Sequence, residues 1–218
     1  MSLILRHYQQ QAVSDLRLAF RDGARAPLLV LGTGAGKTVI AAEIMRGLAE
    51  RGRRALFLVH RRELIRQTSH KLNLAGVVHG IIAAGLPTTA APIQVASVQT
   101  LVRRLDTITI PPDLILIDEA HHATAGSWAR VIGHWPDALR LGVTATPVRL
   151  DGRGLSTVFD RLVLGPSVAD LIFTSFLSPA KIYAPPQRAD LSSLRKRAGD
   201  YAIDQAANAM DRPTVTGD

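Results

Sequence analysis

Short apolar runs and longer amphipathic stretches take turns along this chain. "PLLVLG" at 27–32 is followed by helical apolar spacing over 37–51, "ALFLVH" by the same over 61–73, and "IQVAS" by the same over 97–105; "LILIDEA" and "LRLGVTA" close the series. The runs are apolar at successive positions rather than alternating, as strands covered on both faces by helices must be. The pattern predicts an α/β fold, a mainly parallel β-sheet with helices on both faces. "HYQQQAVSDLRLAF" predicts a helix ahead of the first strand, and Gly76 to Ala83 a further strand.

Beyond about residue 150 the alternation stops. "DGRGLSTVFDRLVLGPSVADLIFTSFLSP" predicts two short helices broken at Gly165-Pro166, "AKIYAPP" a strand ending on its prolines, and the stretch near 200–210 one helix. The chain from 186 on is polar and starts no new core. The expected division is therefore a domain over 1–185 and a connector over 186–218.

Composition narrows the class. A chain of 218 residues with 47% apolar content can bury a real core. No run of about 18 uncharged apolar residues occurs, and "MSLILRHYQQQ" reaches charge too soon for a signal peptide. A cytoplasmic protein with no membrane partner is expected. The absence of cysteine excludes disulfides and thiolate metal sites. The formal charge is +8, and 22 of the 26 basic residues are arginine, a balance that attracts polyanions such as nucleic acid.

The chemistry gathers where apolar runs end. After strand 27–31 the backbone turns through Gly32, Thr33, Gly34, Ala35 and Gly36, and Lys37-Thr38 open a helix. Glycines let backbone N–H groups approach a phosphate chain, and a helix N-terminus adds its dipole. Lys37 is placed to reach the β and γ phosphates of a bound nucleotide, and the Thr38 hydroxyl to ligate Mg²⁺. The strict phosphate-loop pattern has glycine where this chain has Leu31. "LILIDEAHH" ends a buried strand in Asp118-Glu119, suited to a second Mg²⁺ contact and to a carboxylate that orients or deprotonates the attacking water. A zinc site fails on spacing, since H-E-x-x-H needs histidine at Asp118. Trp128 and Trp135, seven residues apart on one helical face, are expected in the core.

"TGAGKT", "DEAH" and "TATP", in this order and at successive strand ends, resemble motifs I, II and III of the superfamily 2 DEAD/DEAH-type helicases. The resemblance implies a RecA-like P-loop NTPase domain, and Leu31 fits phosphate loops of that family. "GVTATPVRLDGRGL" is similar to the branch that holds bacterial and phage DEAH-type helicases and restriction-enzyme and XPB-like translocases. By the same resemblance, "LRHYQQQA" is the adenine-recognition element, with Gln9 on the base and Arg6 or Tyr8 beside it. "LVHRREL" and "ASVQTL" then match motifs Ia and Ib, which places Arg61, Arg62, Gln99 and Thr100, with Ser97, on the nucleic-acid backbone; a plain serine N-cap at Ser97 is the alternative. His121, Thr144 and Thr146 are implied in coupling hydrolysis to movement. His122 carries no assigned role.

The activity implied is an ATP-dependent helicase or translocase acting on nucleic acid, with DNA favoured over RNA. A nucleotide-gated clamp within a restriction or repair complex is the alternative; a small-molecule kinase is disfavoured because no lid or acceptor region follows the strands. The family's second RecA-like domain, which brings arginine fingers, has no counterpart after residue 150. The sequence is thus expected to be the first of two such halves and a weak ATPase by itself, since an arginine finger is worth about 10³–10⁵ in rate.

Overall fold

The computed structural model describes residues 4–87, 89–124, 126–147 and 155–180, the backbone of 196–197 and 200–201, and Arg62 in its backbone only. The chain divides into two compact units, Met1–Leu177 and Ser178–Asp218. Among the described residues of the first unit, seven strands form one sheet: β1 (Pro27–Val30), β2 (Ala55–Val59), β3 (His79–Ile82), β4 (Ile93–Ser97), β5 (Leu114–Asp118), β6 (Leu139–Thr144) and β7 (Arg161–Leu164). Their spatial order is β3-β4-β2-β5-β6-β1-β7, and every pairing is parallel.

Parallel strands need crossovers, and α2 (Lys37–Ala49), α3 (Arg62–Leu74), α4 (Val98–Leu101) and α5 (Gly126–His134) lie on them, while α1 (His7–Arg21) precedes β1 and α6 (Val168–Phe173) follows β7. Successive strand residues face opposite layers. Leu29, Phe57, Val95, Leu116 and Val143 pack with Leu16 of α1, Ile40 and Met45 of α2, Leu72 of α3 and Leu171 of α6. Leu28, Leu58, Ala96, Ile115 and Ile117 pack on the opposite side with Leu101, Val131, Phe159 and both tryptophans. Trp128 and Trp135 are therefore core residues, as their spacing predicts.

Most of the predicted elements form, with shifted ends. Leu31 leaves the strand but its N–H still bonds the Thr144 carbonyl at 3.0 Å. The helix expected over 97–105 stops at Leu101 and resumes as a 3-10 turn, Leu105–Thr107. The region before Gly165-Pro166 departs most. Where a helix was expected, residues 161–164 form β7, the edge strand beside β1. Asp160 anchors it, with Oδ2 accepting the Arg25 N–H at 2.7 Å and the Ala26 N–H at 3.0 Å. α6 follows as predicted, started by a capping box between Ser167 and Asp170.

In the second unit, β8 (Lys196–Arg197) and β9 (Asp200–Tyr201) pair antiparallel, so 200–201 begin as strand and not as helix. The strand expected from "AKIYAPP" and the rest of the helix near 200–210 lie outside the described residues, apart from Ala180.

Candidate functional site

Because all seven strands run one way, every loop that carries a sequence motif leaves the same edge of the sheet. The registers align these exits. Ser97 pairs with Val59, Leu58 with Ile117, Asp118 with Val143, and Thr144 with Val30. Read across the carboxyl edge, the order is β4, β2, β5, β6, β1. The start of α3 and α4 thus flank one side, the Gly32–Thr38 loop the other, and Asp118-Glu119 stands between. In open α/β sheets this edge is where ligands bind.

The loop's shape follows from its glycines. Gly34 and Gly36 take φ of +81° and +88°, a left-handed backbone that L side chains rarely adopt. Gly36 is the N-cap of α2 and no side chain caps that helix, so its first amides are left to face the edge. Lys37 folds back over the loop, donating from Nζ to the carbonyls of Leu31 at 3.2 Å and Gly32 at 3.5 Å. Thr33 and Gly34 are exposed, Thr38 is half-buried, and Ala35 is buried.

Gln9 is buried and sits against this loop. Its Nε2 donates to the Ala35 carbonyl at 3.1 Å, its Oε1 accepts the Arg6 N–H at 2.9 Å, and the Tyr8 hydroxyl donates to the same Ala35 carbonyl at 3.0 Å. A Cβ on Gly36 would collide with the Gln9 amide. Arg6 is exposed and lies over the Phe176 ring, 5.1 Å from its centroid. Val168 and Leu177 close on the loop glycines: a Cβ on Gly32 would stand 2.7 Å from Val168, and one on Gly34 would stand 3.0 Å from Leu177. No sequence pattern in α6 or the residues after it signals these contacts.

The acidic pair is set by backbone geometry too. Glu119 adopts φ +50°, ψ +55°, and its N–H bonds Asp118 Oδ1 at 3.0 Å. A non-glycine residue in this region is sparsely populated and clusters at functional sites. Asp118 is only 7% exposed. Burial, and after it the Glu119 carboxylate, pushes its carboxyl up from 3.8 to about 6, while the Glu119 N–H and the Lys37 ammonium pull it back. A buried carboxylate beside a second one offers oxygen ligands of the kind a divalent cation takes.

His121 bridges the acidic strand to β6. Its Nδ1 lies 3.4 Å from Glu119 Oε2 and 3.3 Å from Thr144 Oγ1. The Thr144 hydroxyl donates to the Thr146 carbonyl at 3.0 Å and accepts the Thr146 N–H at 3.1 Å, closing the turn after β6. Arg61, exposed, is the N-cap residue of α3, and the backbone of Arg62 begins that helix. On the neighbouring strand end Gln99 is exposed and Thr100 half-buried. Ser97 stands at the N-cap of α4 without capping it: its hydroxyl donates to Gln99 Oε1 at 2.9 Å.

The family described as type III restriction enzyme, res subunit, matches residues 2–149, more than half of the sequence, and the chain belongs to it, within the superfamily 2 helicases and with the RecA-like fold of their N-terminal domain. It is 34% identical over 234 aligned positions, 97% of this chain and 33% of the other, to a Saccharomyces cerevisiae protein provisionally named ATP-dependent helicase IRC3. It is 31% identical over 150, 68% of this chain and 32% of the other, to the DNA 3'-5' translocase XPB2 of Sulfurisphaera tokodaii. The fold is similar to that of the type ISP restriction-modification enzyme LlaGI solved with a DNA substrate mimic, with TM-score 0.64 and 17% identity over 79% of this chain and 20% of that one. The chain spans about a third of the length of the curated relatives it matches.

Proposed function

We propose that this chain is the ATP-binding domain of an ATP-dependent nucleic-acid helicase or translocase, coupling hydrolysis to movement on a strand. The observation that carries the reading is the shared edge: Lys37 and the buried, charge-crowded Asp118 leave strands separated only by β6, close enough for the Lys37 ammonium to lower the Asp118 carboxyl. The uncapped start of α2 and the glycine backbone fit a triphosphate, with Gly32, Thr33, Gly34, Ala35 and Gly36 offering N–H groups and Lys37 its charge. Thr38 and Asp118 would hold Mg²⁺, which supplies charge neutralisation on the phosphates. Glu119 takes a proton from, or orients, the attacking water. Gln9, with Arg6 beside it, reads the adenine edge, which requires the Gln9 amide to leave Ala35.

Arg61, Arg62, Gln99 and Thr100 meet the phosphate backbone from adjacent strand ends, helped by the α3 and α4 amides. His121, Thr144 and Thr146 couple the two halves of the edge, since a hydroxyl that both donates and accepts can exchange partners at little cost. The +8 charge suits either nucleic acid, and the polymer is DNA, the reading favoured by relatives named as a DNA translocase and restriction enzymes. A second RecA-like domain of the whole protein supplies the opposite wall of the ATP cleft, with residues 186–218 as the connector toward it, in the cytoplasm.

The test is ATP turnover by the intact protein with and without DNA. DNA-stimulated hydrolysis that falls at least about a hundredfold in Lys37→Ala and in Glu119→Gln supports the reading. Wild-type turnover in either variant overturns it. Strand displacement under the same conditions separates a helicase from a translocase or clamp.

A further inference from the structure

Two imidazoles at the middle of the carboxyl edge have no part in the reaction just described. His60 continues β2 and directly precedes Arg61, while His122 ends the 3-10 turn Ala120–His122 that follows Glu119. Because β2 and β5 are neighbours, the His60 and His122 rings meet with centroids 5.0 Å apart. The His121 and His122 centroids are 4.2 Å apart, and His121 reaches Glu119 and Thr144. A contiguous row of rings thus runs from the N-cap of α3 to the acidic motif.

Filling space is the simplest use of such rings, but His60 is an odd filler. Its Nδ1 is buried with no hydrogen-bond partner among the described residues, a cost that an apolar side chain of the same shape would not carry. Burial, then Arg61, holds the His60 imidazole below its ordinary range, opposed by Glu119; burial, then His121 and His60, does the same to His122, again opposed by Glu119. The two rings therefore meet as neutral surfaces at pH 7, with Arg61, His121 and Glu119 as the charged or titratable groups around them.

We propose that His60 and His122 are positioning residues that join the nucleic-acid side of the edge to Glu119: His60 holds His122, His122 holds His121, and His121 fixes the carboxylate. A shift of Arg61 on meeting a phosphate chain then moves the His60 ring and, through it, the group that handles the attacking water. The inference rests on the ATPase reading above. Spatial continuity alone does not establish coupling, so the test measures coupling.

ATP turnover of the intact protein is compared with and without DNA oligonucleotides, single-stranded and duplex. The proteins are wild type, His60→Ala, His122→Ala, the double variant and His60→Phe, each checked for folding by thermal unfolding. Each alanine variant lowers DNA-stimulated kcat about tenfold with KM for ATP within about twofold, as expected for loss of one coupling element. The double variant falls no further than the worse single, because both act through one row. His60→Phe, which restores a neutral ring, recovers stimulated kcat to within about threefold, a rescue that charge or hydrogen bonding at His60 would not give. Wild-type kcat in His60→Ala, losses that multiply in the double variant, a change confined to KM, or a folded His60→Phe that stays impaired would each overturn the proposal. Absence of DNA-stimulated turnover in the wild type fails the ATPase reading itself, and the proposal with it.

Discussion

Asp118→Asn is expected to stabilise the nucleotide-free protein while disabling it. The carboxyl titrates at about 6 in the folded state against 3.8 when unconstrained. Its pKa is raised, so the contribution of this group to stability is fully present below 3.8 and is lost as pH rises through about 6. At pH 8 the unfolded chain carries the charge freely, whereas the folded protein keeps it buried beside Glu119. Two pH units correspond to about 3 kcal/mol at the upper end, by about 1.4 kcal/mol per unit. Asparagine removes the charge, and its side-chain oxygen can still accept the Glu119 N–H now bonded at 3.0 Å. Urea and thermal unfolding of wild type and variant, without Mg²⁺ or nucleotide, measure the difference from pH 4 to pH 8. The variant gains about 2–3 kcal/mol at pH 8, or roughly 5–10 °C for a domain of this size, and the gain shrinks to about 0.6 kcal/mol at pH 4. A variant less stable than wild type at pH 8, or a gain that does not change with pH, refutes the reasoning.

Three further outcomes follow from single contacts. Gly36→Ala places a Cβ at φ +88° against the Gln9 amide, so thermal unfolding records a loss of about 1–2 kcal/mol, with ATP affinity weakened as well; an alanine variant that binds ATP like wild type contradicts the loop geometry. Gly142→Ala, in β6 and away from the loop, pushes a Cβ to 2.6 Å from the Phe159 ring and 2.7 Å from Leu28, costing about 1–3 kcal/mol by overpacking in the same assay while leaving KM for ATP alone. Arg61→Ala lowers the slope of log DNA affinity against log salt by about one unit, and an unchanged slope removes Arg61 from the phosphate contacts.

The sheet was readable because its strands are buried on both faces, and short runs such as "LILID" alternating with longer helical stretches are the pattern of central parallel strands. The edge strand β7 was not. "RLVLG" at 161–165 repeats the shape of "PLLVLG" at 27–32, but its outer residues Leu162 and Leu164 are exposed, and four residues beside an arginine and an aspartate look as much like a helix turn as a strand. What decides it is Asp160 gripping the Arg25 and Ala26 amides, a contact 134 residues distant that no local pattern reports.

The site shows the same division. That Lys37-Thr38 and Asp118-Glu119 come out at one sheet edge is legible because each pair follows an apolar strand run, and a parallel sheet gathers such strand ends. The burial of Gln9 is not legible, since a glutamine in "YQQQ" looks solvated until the fold packs it against Ala35. Val168 and Leu177 approach the loop, and Phe176 approaches Arg6 and Tyr8, through side-chain packing, which fixes position but hardly residue type. His60 and His122 carry their relation only in the β2–β5 pairing.

Equilibrium binding of a non-hydrolysable ATP analogue, with and without Mg²⁺, bears most directly on the shared edge. Mg²⁺ is expected to tighten binding to the wild-type protein at least about tenfold, and this tightening should vanish in both Lys37→Ala and Asp118→Asn if, as proposed, the two side chains share one metal triphosphate. Undiminished Mg²⁺-dependent binding in Asp118→Asn, or no effect of Mg²⁺ on the wild type, would contradict the account.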